Sequence, residues 1–141
     1  MRLQSFTLWL LTVLFAVRVA GQAIQAWWPQ PFLPPFRDFQ GSQLAYPVLL
    51  TSQLLILAIM LRWSWKVQRG TTPSARAAAA LLWSGALYMA ASLARLAIGL
   101  GFAAAPPWFS AWISGVFHLV LAGFVLTLAA SHRRGSSAGV Q

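Results

Sequence analysis

Apolar residues fill four stretches of the chain, residues 5–25, 46–62, 77–100 and 108–131, with few charges inside any of them. Each is close to the ~20 residues that carry an α-helix across a bilayer core. The polar positions within these runs follow helical spacing. Ser84, Tyr88, Ser92 and Arg95 are four, four and three residues apart, which at 100° per residue confines them to about 80° of arc. In the first run Thr7, Leu11, Leu14, Arg18, Gln22 and Gln25 share a face, so polarity grows toward its far end. Tyr46, Leu49, Gln53 and Met60 share one in the second. In the fourth, His118 lies on a face with Ala111, Ser114, Ala122 and Ala129. The pattern predicts an all-α membrane protein, an antiparallel four-helix transmembrane bundle forming one integral domain over residues 1–141.

Breakers separate the runs. Residues 27–47 contain Pro29, Pro31, Pro34, Pro35 and Pro47, interleaved with Trp27, Trp28, Phe32, Phe36, Phe39 and Tyr46. Proline at that density excludes a continuous helix, and aromatic rings concentrate at the headgroup level. A surface loop capping the bundle is expected. Pro47 and Pro106-Pro107 suit the first turns of helices. Gly70 to Ser74 forms a turn with helix-start chemistry, and a flexible tail is expected over 133–141. A secretory signal peptide is a rival reading of the first run, but Arg18 interrupts its approach to the small residues near Ala23, favouring an uncleaved helix.

Composition agrees with the pattern. The chain is 59% hydrophobic and 8% charged, whereas about a quarter of residues are charged in soluble domains. The net charge of +9 does not point to nucleic acid, because the basic residues sit at the ends of apolar runs. Arg2, Arg62, Lys66, Arg69, Arg76, Arg133 and Arg134 fall on one side and Arg37 alone on the other. The positive-inside rule then places both termini and the middle connection in the cytoplasm, as for a multi-pass protein of an inner (plasma) membrane. The absence of cysteine excludes disulfides, thiol redox chemistry and thiolate metal sites, and with them quinone-coupled disulfide oxidation.

With this topology Arg18 and Arg95 lie in the outer half, and Gln53 and His118 near mid-depth. The inner half reads as almost purely aliphatic. An arginine at a helix centre costs about 2.5–3.5 kcal/mol on insertion scales. It is relieved either by snorkelling to headgroups or by an anion, for which Asp38 and a ligand carboxylate or phosphate are the candidates. Mid-membrane His118 is explained by a hydrogen bond to Ser114 or Gln53, or by axial ligation of a porphyrin. His132 is 14 residues further on, about 21 Å along one helix, so bis-histidine haem within one chain is excluded.

Catalysis finds little support: there is no carboxylate pair, no glycine-rich phosphate loop and no G-x-S-x-G turn. The expected function is non-enzymatic. An outer-half pocket, with Arg18 and Arg95 as anion holders and Gln22, Gln53, Tyr88, Ser92, Ser114 and His118 as hydrogen-bonding groups, binds a small anionic or amphipathic ligand such as a lipid headgroup or quinone. The loop aromatics form its lid. Two alternatives stand beside it. One is an accessory or assembly subunit of a larger membrane complex, or a homo-oligomer, packing through the small residues Ala86, Ala90, Ala94 and Ala97. The other is a haem- or pigment-binding protein using His118, the one residue placed to ligate a porphyrin metal.

Overall fold

The computed structural model describes residues 2–39, 44–101 and 112–137. Five helices occur among them: α1 (Arg2–Trp27), the single turn α2 (Phe36–Phe39), α3 (Tyr46–Gln68), α4 (Ala75–Gly101) and α5 (Trp112–Ser137). The described residues contain no strand. Four of the helices carry spans of 25, 23, 27 and 21 residues that are long and apolar enough to cross a membrane. At 1.5 Å per residue even the shortest reaches the ~30 Å of a hydrocarbon core. Pro106-Pro107, Ala111 and the first four residues of the fourth apolar run lie outside the described residues.

Local chemistry sets the helix ends. Pro47 occupies the first turn of α3, where a missing N–H costs nothing. The helix does not stop at Arg62 as the apolar run does. It continues to Gln68 because residues 62–69 contain no glycine or proline, so the basic and aromatic cluster is itself helical. It ends at Gly70, whose φ of 86° only glycine adopts cheaply. The amides of Gly70 and Thr71 close back on the carbonyls of Val67 and Lys66 at 3.0 and 2.9 Å, a Schellman closure that satisfies the last carbonyls. Ser74 then caps α4, its hydroxyl accepting from the Ala77 amide at 3.3 Å. At the other end of the chain, α5 runs through Ser137, so the expected tail begins with helix.

α1 is the central element, packed against α3 on one side and α5 on the other, while α4 lies along α5. Among the described residues α4 shares no packed interface with α1 or α3. The apolar core is correspondingly lopsided. Leu8, Phe15 and Val19 of α1, Met60 and Val67 of α3, and Phe124 and Leu128 of α5 form it, and α4 adds only Leu81 at its edge.

Two buried polar contacts run through this core. The Thr12 hydroxyl donates to the Leu8 carbonyl at 2.7 Å and lies 3.1 Å from the Ser64 hydroxyl. Having used its proton on Leu8, Thr12 must accept from Ser64. Ser131 is also buried, donating to the Leu128 carbonyl. Short hydroxyl side chains bond within a turn and so fit in an apolar core without orphaning a polar group. Nearby, the Trp9 indole donates to Gln68 at 2.8 Å and His132 Nδ1 meets the Pro73 carbonyl at 2.9 Å. We refer to this region as the basic end.

Candidate functional site

Away from the basic end the core gives way to a cavity of about 410 Å³ between α3 and α4, floored by α1 and α5. It exists because α3 and α4 do not pack on one another, so the side chains facing the gap have no helix to bury against. Seven of the eight residues singled out from the sequence line it: Arg18, Gln53, Tyr88, Ser92, Arg95, Ser114 and His118. The helical stripe on α4 enters only from Tyr88 onward. Ser84 is exposed, with its hydroxyl turned back onto the Leu81 carbonyl.

Arg18 and Arg95 approach the cavity from different helices, and each is 7% exposed. Arg18 donates from Nη2 to the carbonyl of Phe39 at 2.9 Å and lies 5.9 Å from the Phe117 ring. Its Nε is buried and has no hydrogen-bond partner among the described residues. Asp38, a candidate counter-ion, instead faces Arg37 at 3.6 Å on the surface. The short α2 turn explains this: it presents the Phe39 carbonyl inward and leaves the preceding carboxylate outward. The wall of the cavity contains no acidic side chain.

His118 does not bond to Ser114 or Gln53. Its Nδ1 is hydrogen-bonded to the Tyr88 hydroxyl, the rings edge-on with centroids 5.7 Å apart. In the tautomer in which the phenol donates to Nδ1, the neutral ring carries its proton on Nε2; in the other, Nδ1–H donates to the phenol oxygen. Both arginines lie within electrostatic reach of the imidazole. Ser92 is buried and donates to the Tyr88 carbonyl at 2.7 Å, which leaves its oxygen able to accept.

Gln22 is the exception among the eight. It is fully buried behind the wall, accepting from Gln53 Nε2 at 3.1 Å, and does not line the cavity. Its own Nε2 and the Gln53 Oε1 have no partner among the described residues, and neither has the Tyr46 hydroxyl. Gln53→Leu is expected to cost about 1 kcal/mol, because it strands the remaining Gln22 oxygen in the interior. The Gln22→Leu/Gln53→Leu pair should recover most of that loss. Thermal melts of the four species in one detergent check it, and strict additivity of the single effects would show that the two amides are not coupled.

No protein-family model, curated protein or solved structure matches this chain.

The lid expected from six loop aromatics is smaller than the sequence suggests. Phe39 is buried and lines the cavity, and Leu44 joins it. Trp27, Trp28 and Phe32 are exposed. Phe36 and Trp27 stack edge-on against Tyr46, with centroids 5.2 and 5.9 Å away. Residues 40–43 of the loop lie outside the described residues. Sequence reasoning also missed Phe15, Ile56 and Phe117, which make the apolar part of the wall. Phe15 and Ile56 sit three residues from Arg18 and Gln53, so the helical spacing that found the polar groups could have found them. Among the described residues, no group of three or more His, Cys, Asp or Glu side chains is placed to hold a metal ion. Ala86, Ala90, Ala94 and Ala97 are all exposed on the outer side of α4.

Proposed function

We infer that this chain, with four described helices long and apolar enough to cross a membrane, is a multi-pass membrane protein. We propose that it is a non-enzymatic binding protein whose cavity holds an amphipathic ligand with an anionic head. The observation carrying this reading is the convergence of Arg18 and Arg95 on one cavity whose wall has no acidic side chain. Two buried guanidiniums facing a common space repel one another, and a carboxylate or phosphate between them turns that repulsion into charge-assisted hydrogen bonding. With the phenol donating to Nδ1, the His118 Nε2–H would add a donor. Phe15, Ile56 and Leu121 give the same space an apolar side for a chain or ring. A ligand arriving laterally from the lipid would enter through the gap between α3 and α4.

The antiparallel arrangement belongs to this proposal. It is supported by the order of the α1–α3 hydrogen bonds, in which Trp9, Thr12 and Gln22 meet Gln68, Ser64 and Gln53 in turn. Charge asymmetry supports cytoplasmic termini in a plasma (inner) membrane, which would put the cavity in the outer half.

Arg95→Leu is expected to abolish copurification of the ligand while leaving membrane insertion intact. Lipid extracts of wild type and variant, purified from the native membrane and compared by mass spectrometry, provide the test. An unchanged extract, or wild type purified empty, overturns the proposal. A visible absorption band that needs His118 would instead favour the haem or pigment reading. The accessory-subunit reading draws on the exposed Ala86, Ala90, Ala94 and Ala97 face. Crosslinking from that face to another membrane protein in the native membrane would favour it.

A further inference from the structure

The basic end holds a second concave surface, unconnected with the cavity. Trp9 of α1, Leu61, Arg62, Trp65 and Lys66 of α3, and Arg69 just beyond its end line a shallow groove of about 630 Å³, with Thr71 at its rim. Arg62, Lys66 and Arg69 stand four and three residues apart on one helical face. The side chains around them are held in place. The Trp9 indole N–H is taken by Gln68 at 2.8 Å, which fixes its ring across the helix pair. The Lys66 ammonium lies 4.9 Å from the Trp63 ring centroid and the Arg69 guanidinium 4.8 Å from that of Trp65. The Schellman closure after Gln68 satisfies the last carbonyls of α3, so these cations are not needed as helix caps.

Three like charges share one face, and among the described residues the protein sets no acidic side chain beside them. Its single acidic side chain, Asp38, faces Arg37 elsewhere. We propose that the groove is a specific site for the headgroup of an anionic phospholipid. Arg62 and Arg69 are separated by about 10 Å along the helix axis, a spread over which a headgroup with two phosphates can engage each guanidinium separately. Arginine forks and a lysine ammonium match phosphate oxygens, and the Thr71 hydroxyl can donate to them. The groove continues onto the apolar surface of a spanning helix, and tryptophan favours the headgroup level. That continuity selects a lipid over a free phosphate ion, because Leu61, Trp9 and Trp65 would meet the glycerol and upper acyl carbons. Basic pockets between transmembrane helices hold diphosphatidyl headgroups in this way.

The full-length protein in detergent, measured in the Arg95→Leu background to remove anion binding by the cavity, tests the site. Diphosphatidylglycerol, phosphatidylglycerol and phosphatidylcholine are titrated and retention is read by native mass spectrometry. Retention should fall in that order. The triple variant Arg62→Gln/Lys66→Gln/Arg69→Gln should weaken diphosphatidylglycerol retention about a hundredfold, and each single variant about fivefold. The singles decide the matter if the triple variant does not fold, and Arg62→Lys/Arg69→Lys should keep most of the binding. Arg76→Gln removes a cation outside the groove and should have little effect. Three results would overturn the proposal: equal retention of phosphatidylcholine, an Arg76→Gln loss as large as the groove singles, or displacement of the lipid by equimolar inorganic phosphate.

Discussion

Arg18→Leu is expected to release the Phe36–Phe39 turn from the bundle without destabilising the bundle itself. The two effects have opposite signs. The bond from Arg18 Nη2 to the Phe39 carbonyl is of the charged kind that contributes about 1.5–3 kcal/mol, and it anchors a segment of only four residues. Against it stands the cost of keeping a guanidinium in the apolar interior, about 2.5–3.5 kcal/mol near a helix centre. Leucine removes both, so global stability should hold steady or rise while the turn loses its main polar tether. Amide exchange at Arg37–Phe39 should speed up by about 10- to 150-fold, the same free energy expressed as an opening equilibrium. Exchange in α1 and α5 should not change. Ligand retention should fall as well, since one of the two cavity cations is gone. Unchanged protection of the turn would mean that the Phe39 ring, which lies over Gly21, holds the segment by packing alone.

Gly85→Ala is the second large effect, and its sign is the opposite of what helix propensity gives. A mid-helix glycine replaced by alanine gains roughly 1 kcal/mol in propensity. At Gly85, however, a new Cβ would sit 3.0 Å from Val125 Cγ1 and 3.1 Å from Leu126 Cδ2, so both side chains must give by a few tenths of an ångström inside a packed interface. Forcing extra carbon into such a contact costs about 1–3 kcal/mol. The penalty falls on the α4–α5 interface, and among the described residues α4 has no other long helix to lean on. We therefore expect a net loss of about 1 kcal/mol for alanine and a larger one for leucine. Loosening α4 should also break the Tyr88–His118 hydrogen bond and open the cavity. Gly21→Ala is the matched control. Its Cβ would meet the Phe39 ring at an ordinary 3.8 Å, so the propensity gain should survive as added stability. Melting temperatures of the three variants in one detergent check this, and a destabilised Gly21→Ala or a stabilised Gly85→Ala would contradict it.

Both predictions concern contacts that one-dimensional spacing does not contain. The spacing of Tyr88, Ser92 and Arg95 placed those three side chains on one face of α4, and they do share one cavity wall. The same reasoning applied to Gln22 put it in the site, because Arg18 and Gln22 are one turn apart. It fails there because the cavity is only as deep as the gap between α3 and α4, and Gln22 lies beyond that gap against Gln53. Hydrogen-bond partners were the least legible feature. Spacing offers His118 either Ser114, one turn away on α5, or Gln53, yet Tyr88 of α4 is what the fold delivers. Arg18 was offered Asp38, the lone carboxylate, and received a backbone carbonyl one residue further on.

The sequence alone determined the number and placement of the long apolar helices, because bilayer thickness and helical rise leave little choice once four such runs exist. It also determined the segregation of basic residues and the helical face on which each polar group stands, since both are properties of single segments. Tertiary structure decided which faces meet. In an apolar surround, contact between helices follows side-chain fit and a few polar partners rather than segment hydrophobicity. Gly85 lets α4 close onto α5, and hydrogen bonds at Trp9, Thr12 and Gln22 tie α1 to α3. What remains between α3 and α4 is the space that Arg18 and Arg95 share.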